Sequence, residues 1–309
     1  MLRSCFFTPP DQISRSETDQ KRARLHRYVR TLVHFISHWC YKSKPVPAYP
    51  TYTAQDVTVI LPTIQKHLEE LRDPLTSILA CNPYELILVT TVDKYQALLN
   101  FTKTLEASNV RVFHSRIANK RIQVCQAIPD VKTDIIIQAD DDVTWPSTLL
   151  PLILAPFEDP KMGAVGTNQR VKRIRSGPLA ARTWNWLSAM YIERRNFEIS
   201  ATHGIDGGTS CMSGRTVAIR SEIIQDQTFT KAFKTEQWGS NIMNADDDNF
   251  VTRWLVSHQW KTWVQYDKKC EIETTLENNP KFIYQCLRWA RSNWRSNWTS
   301  LMKEKHVLV

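Results

Sequence analysis

The chain has 309 residues, of which 42% are hydrophobic and 23% charged, enough for one large core or two modest ones and too ordinary for a fibrous or fully disordered protein. Only 8 glycines stand against 11 tryptophans, and no internal period is visible, which argues against a repeat or low-complexity protein. The net charge of +9 suits nucleic acid, anionic lipid or a phosphorylated substrate, and chooses among them only where the charges cluster.

Seven cysteines are scattered from Cys5 to Cys286 with no C-x-x-C, so neither a disulfide framework nor a zinc site is expected, and a reducing compartment is favoured. The sequons at Asn100 and Asn297 would matter only in a secreted chain. No stretch reaches the roughly 18 apolar residues of a transmembrane helix. Cys5-Phe6-Phe7 runs into Pro9-Pro10 and is too short for a signal-peptide core.

Residues 1–20 are polar and are expected to be disordered. A helix is predicted over residues 21–41, where Leu25, Val29, Leu32, Ile36 and Trp39 form one apolar stripe. Lys21, Arg22, Arg24, Arg27 and Arg30 load its first half with charge, so it either packs on the domain or lies on an anionic membrane surface. His34 and His38, one turn apart, are expected to be ordinary surface histidines. Residues 1–44 thus form a start separate from a compact domain over residues 45–309, which begins after the Pro45, Pro47, Pro50 linker.

Strands are expected at residues 57–63, 86–91 and 109–114, and helices at 65–80, 95–107 and 119–128. This alternation predicts an α/β fold with a mostly parallel central sheet flanked by helices. No G-x-G-x-x-G follows the first strand, which argues against a dinucleotide-binding domain. Further strands are expected at 162–167 and 261–266, helices at 183–197, 251–258 and 282–301, and a loop at 203–208.

The most informative stretch is Ile135-Ile136-Ile137-Gln138-Ala139-Asp140-Asp141-Asp142. A strand buried on both faces runs into three carboxylates at its C-terminal end, the side on which open α/β sheets bind ligands. Alternate residues point the same way, so Asp140 and Asp142 can share a hard cation such as Mg²⁺ while Asp141 points elsewhere. A solvated acidic turn before Trp145-Pro146 accounts equally well for the pattern. A second cluster, Asp246-Asp247-Asp248, precedes a helix and fits helix capping as well as chemistry. Asp267 and the acids of 271–277 are expected to be solvated surface.

Four elements then stand in order: a strand ending at Asp93, Asp140-x-Asp142, the Asp247-Asp248 pair before a helix, and Gln285-Cys286-Leu287-Arg288-Trp289, which matches Q-x-x-R-W. Over about residues 45–300 the chain resembles the processive branch of glycosyltransferase family 2, the cellulose, chitin and hyaluronan synthases. Fungal hyaluronan-synthase-like polysaccharide synthases are the nearest match. The resemblance implies a GT-A fold and an inverting transfer from a UDP-sugar donor to a growing polysaccharide or oligosaccharide acceptor. By match, Asp93 contacts uridine and Lys120 the diphosphate. Asp140 and Asp142 bind Mn²⁺ or Mg²⁺, and Asp248 is the general base. Gln285, Arg288 and Trp289 hold the diphosphate and the acceptor sugar, with Ser213 and Gly214 in the loop beside the acceptor. The chemistry needs these types: a base for the acceptor hydroxyl, and positive charge for the leaving diphosphate.

Members of that branch carry transmembrane helices on both sides, and this chain stops at Val309, soon after the motif. A truncated form is therefore expected, membrane-associated on the cytosolic side, that elongates polymer poorly or not at all. A non-processive transferase and a catalytically inactive relative are the alternatives. The Arg170–Arg175 stripe and the Trp/Arg-rich tail raise nucleic acid as a partner; two acidic clusters at strand and helix ends argue against it.

Overall fold

The computed structural model describes residues 10–209 and 211–304. In chain order the elements are α1 (Pro10–Cys40), β1 (Val57–Pro62), α2 (Arg72–Ala80), β2 (Glu85–Thr91), α3 (Val92–Lys103), β3 (Val110–Ser115), α4 (Lys120–Ala127), β4 (Ile135–Ala139), β5 (Val143–Thr144), α5 (Leu149–Leu154), β6 (Met162–Thr167) and β7 (Gln169–Val171). They continue with α6 (Leu179–Asp206), β8 (Thr216–Arg220), α7 (Ser221–Gln225), α8 (Gln227–Thr235), β9 (Gln237–Trp238), β10 (Asn241–Ile242), α9 (Asp247–Ser257), β11 (Lys261–Gln265), β12 (Ile272–Thr274) and α10 (Lys281–Met302).

The continuous apolar runs become central strands because both of their faces are covered; every residue of β1 and β4 is buried. Seven strands form one sheet in the order β11-β6-β8-β4-β1-β2-β3. All neighbours are parallel except β8, which runs antiparallel to both β4 and β6. Successive residues of β1 feed opposite faces. Val57, Val59 and Leu61 pack with α2 and α5, and Ile60 packs with α4, α8 and α9. The chain leaves β1 toward β2 and β3, then returns to place β4 on the other side of β1. That reversal opens a crevice at the C-terminal ends of β1 and β4, where sheets of this kind bind ligands. A small second sheet, β5-β12-β7, closes one side of it.

Several boundaries differ from expectation for local reasons. Residues 10–20, expected to be disordered, are helical, and α1 opens on Pro10, where a missing N–H is harmless; residues 1–9 lie outside the described residues. The turn before α2 is a short 3₁₀ stretch, Leu68–Leu71, and Pro74 lies in the first turn of α2. The expected loop at 203–208 is mostly helix. α6 runs to Asp206 and ends at Gly207, whose φ of 73° is the left-handed cap that glycine adopts without strain. Glu271 is buried against Asn168 and Lys268 rather than solvated, and Asp267 caps a 3₁₀ turn by accepting from the Lys269 N–H.

Among the described side chains of α1, those near its C-terminal end dock it on α6. Ser37 Oγ donates to the Ala201 carbonyl at 2.6 Å, His38 Nδ1 meets Ser200 Oγ at 2.7 Å, and Phe35 packs on Phe197 with centroids 5.0 Å apart. His38 is thus a docking residue, not a surface histidine. The apolar stripe itself faces outward, with Leu32 60% and Trp39 75% exposed. The crossing of α1 over α6 is tight at Gly204, where a Cβ would stand 2.5 Å from Ser37 Oγ and 3.2 Å from its carbonyl oxygen. Gly204→Ala is therefore expected to lower stability by about 1–3 kcal/mol and to speed hydrogen exchange in the last turns of α1. Unchanged exchange there would show that α1 is held by other contacts.

Candidate active site

The three aspartates after β4 turn to three different partners. Asp140 Oδ1 accepts from Lys120 Nζ at 2.6 Å. Asp141 Oδ2 accepts from Thr63 Oγ1 at 2.5 Å, across the crevice from β1. Asp142 Oδ2 accepts from Thr274 Oγ1 of β12 at 3.1 Å. The loop is fixed to the start of β8 by the Asp140 N–H, which donates to the Arg215 carbonyl at 3.1 Å. Burial, and then the neighbouring Asp140 charge, push the Asp142 carboxyl up to about 6, against the pull of the Arg215 guanidinium. Burial also raises the carboxyl of Asp141.

The second cluster sits at the start of α9. Asp246 holds the N-cap position in left-handed backbone, φ 62°, yet its side chain makes no capping bond; it pairs with Arg295 of α10. Asp247 Oδ2 lies 2.8 Å from Lys120 Nζ. Burial opposes the charge on both groups, but attraction wins: Asp140 and then Asp247 hold the Lys120 ammonium above its usual range, and Lys120 holds the Asp247 carboxyl below its own. Asp248 Oδ1 accepts the Asn249 N–H at 2.8 Å.

Beneath this loop lies Arg121, fully buried. It donates to Glu236 at 2.6 Å and to the carbonyls of Ala245 and Asp246, both at 3.0 Å. Its guanidinium stands 5.1 Å from the ring centroid of Phe233 and 5.4 Å from that of Phe250. Arg253 of α9 shares Glu236 and reaches Ser296 of α10 at 2.7 Å. The acidic loop is therefore gripped from the core side, and its carboxylates face the other way.

A cavity of about 360 Å³ gathers Lys120, all six aspartates, Ser213 and Gly214, and Gln285, Arg288 and Trp289 of α10. Trp289 stacks on Tyr191 with centroids 5.4 Å apart, and the Arg215 guanidinium lies 5.3 Å from its ring centroid. Gln285 Oε1 is buried and has no hydrogen-bond partner among the described residues. Asp93 stands apart: it is exposed in the first turn of α3 and does not line this cavity. Arg195 and Cys211, joined at 3.5 Å, line the cavity wall, and sequence reasoning missed them. Nothing in the spacing of α6 marks Arg195, since its role depends on a tertiary contact. The part of Asp247 was also missed, although its place beside Asp248 was the available signal.

The donor set fits a hard divalent cation. It is all carboxylate oxygen, and Asp142 is half-buried beside Asp140 with an elevated carboxyl that a cation would relieve. Among the described residues no three His, Cys, Asp or Glu side chains form a ready metal cage. The remaining ligands would therefore have to be supplied by a phosphate-bearing substrate or water, the usual state of Mg²⁺-type sites.

Comparison with known proteins bears on the family and the fold. The family model described as glycosyltransferase like family 2 matches residues 54–292. A type 2 glycosyltransferase of Pyricularia oryzae is 66% identical over 283 residues, covering 92% of this chain and 59% of its own length. One from Gibberella zeae is 66% identical over 282 residues, with 91% and 54% covered. The chain thus spans little more than half the length of these relatives. Among solved structures, a mannosyltransferase from Pyrobaculum calidifontis in complex with GDP-Man and Mn²⁺ matches with a TM-score of 0.58 at 17% identity, over 86% of this chain and 70% of that one. The likeness is one of fold, the GT-A type.

The grip beneath the loop is open to test. Arg121→Met leaves Glu236 to Arg253 alone and removes the donors to two loop carbonyls, so a loss of about 3–5 kcal/mol is expected, as for other broken buried ion pairs. Denaturant unfolding of the variant measures it. A loss under about 1 kcal/mol, the level of an exposed pair, would mean that Arg253 alone suffices for Glu236.

Proposed function

The chain belongs to glycosyltransferase family 2, and from that premise we propose that it is the metal-dependent, inverting transferase domain of a hyaluronan-synthase-like polysaccharide synthase, using a UDP-sugar donor. The observation that carries this reading is convergence. Asp140-x-Asp142, Asp247-Asp248 and Gln285-x-x-Arg288-Trp289 meet around one cavity. In its wall Gln285 Oε1 is buried without a partner among the described residues, an acceptor that a sugar hydroxyl would satisfy.

On this reading Asp140 and Asp142 hold Mn²⁺ or Mg²⁺, which when bound would offset the charge building on the leaving diphosphate. Lys120 and Arg288 add positive charge to the same group, and Asp93 receives the uridine at the outer end of the crevice. Asp248 takes the proton of the acceptor hydroxyl as its oxygen attacks the anomeric carbon, and UDP departs with the electrons of the broken bond. Gln285, Ser213 and Gly214 line the acceptor side. Trp289, held by Tyr191 and Arg215, serves there as a rigid wall.

A membrane surface is the second part of the proposal. No described helix is long and apolar enough to cross a membrane. Yet α6 touches both α1 and α10, and all three expose large apolar side chains, among them Trp39, Trp186 and Trp294, the last 76% exposed. Arg22, Arg27 and Arg30 of α1 are exposed as well. Basic and aromatic side chains mixed in this way suit the cytosolic face of an anionic bilayer. Residues 1–44 then form the membrane-facing lead and 45–309 the catalytic domain.

Calorimetric titration with UDP and with GDP, each with and without Mn²⁺, tests the donor. UDP is expected to bind only with the metal; equal binding of GDP would remove the uridine assignment. Asp248→Asn is expected to keep UDP and Mn²⁺ binding while lowering turnover at least about 100-fold, in line with loss of a general base. Full activity in that variant would move the base elsewhere. Flotation with anionic vesicles should carry the chain up, and Trp39→Ser with Trp294→Ser should release it; no flotation would sink the membrane reading.

A further inference from the structure

Among the described residues, Lys120 is the side chain ion-paired with both acidic clusters: its Nζ stands 2.6 Å from Asp140 Oδ1 and 2.8 Å from Asp247 Oδ2. Asp247 Oδ2 is buried against the ammonium, which supplies the positive charge that this carboxylate faces. An inorganic cation placed there would supply the same charge.

The surroundings keep this seat open. At Gly214 a Cβ would stand 3.2 Å from Lys120 Nζ and 3.3 Å from Asp247 Oδ2, so a glycine leaves the ammonium its room. The backbone under Lys120 is fixed: Asn119 caps α4 by accepting the Ile122 N–H at 3.2 Å, and its amide also binds Asn244 of the acidic loop. The neighbouring Arg121 points into the core. Only the four-carbon stem of Lys120 is able to move, and such stems are flexible.

We infer that Lys120 is the chain's own counter-ion for the donor site, bridging Asp140 and Asp247 in the absence of donor and moving onto the diphosphate when nucleotide and metal enter, so that the two bind as a unit. The inference rests on the proposed reading of Asp140 and Asp142 as metal ligands. While Lys120 holds Asp140, that carboxylate is already paired and a divalent ion meets an ammonium in its place. A diphosphate offers the ammonium a better partner and frees the carboxylate. Binding linkage is reciprocal, so the factor by which UDP tightens Mn²⁺ must equal the factor by which Mn²⁺ tightens UDP.

The test is Mn²⁺ binding followed by the paramagnetic resonance of free Mn²⁺, with and without UDP, on the whole chain. Wild type should bind Mn²⁺ weakly alone and more tightly with UDP. Lys120→Met should bind Mn²⁺ alone about fivefold or more tighter than wild type, with the UDP effect shrunk to match, a coupling of ordinary size for linked sites. Lys120→Gln removes the charge but keeps donors for both carboxylates. It should behave alike, and it answers the question if the Met variant fails to fold by circular dichroism. Neutral variants that bind Mn²⁺ no tighter, beside a wild type that still binds UDP with Mn²⁺, would overturn the inference and leave the donor site standing. A wild type that binds neither would overturn both.

Discussion

Six aspartates face one cavity, and the structure around it answers their repulsion. Each cluster of three is dispersed over different partners. Lys120 takes one carboxylate from each cluster, Thr63 and Thr274 take two by hydrogen bonds, and Arg295 takes Asp246. Three elements distant in sequence, α4, α9 and α10, are drawn together by these contacts. The charge that makes the site chemically capable is therefore also what assembles it. Arg121 and Arg253 repeat the principle one layer down, where a shared glutamate links α4 to α9. Unpaired, any of these buried ions would destabilise the fold.

Much of this was legible in the sequence, and the reason is local. The strand ending in Asp140 announces itself because an apolar run followed at once by carboxylates has few other uses, and the fold places it centrally. Gln285, Arg288 and Trp289 are three and four residues apart on one helix, so their common direction follows from helical spacing. Strands β1, β2 and β6 are marked by their apolar content alone. What escaped was tertiary. The antiparallel placement of β8 depends on its pairing with β4 and β6, which no local pattern encodes. Arg195 and Cys211 reach the cavity from elements that look like ordinary helix and loop. Asp246 has the sequence and the position of a cap, yet its backbone is left-handed and Arg295 claims its side chain.

The apolar stripe of α1 teaches a different lesson. Its period correctly marked a helix, and a stripe of that kind ordinarily faces a core. Here the docking is done by Ser37, His38 and Phe35, and the stripe is left outside. Periodicity reports that a face is apolar and is silent about what covers it.

The direction of β8 has a mechanical outcome. In a sheet of parallel strands, the segments that enter strands lie at the opposite end from the segments that leave them. Reversing one strand brings the segment entering β8, Cys211 to Arg215, to the same rim as the segment leaving β4. The hydrogen bond from Asp140 to the Arg215 carbonyl then rivets the two together. The two segments therefore share one rim and one fixed spacing. An exchange of either segment between relatives would transmit its displacement straight to the other, so the two sides of the cavity are constrained to evolve, and to be engineered, in tandem.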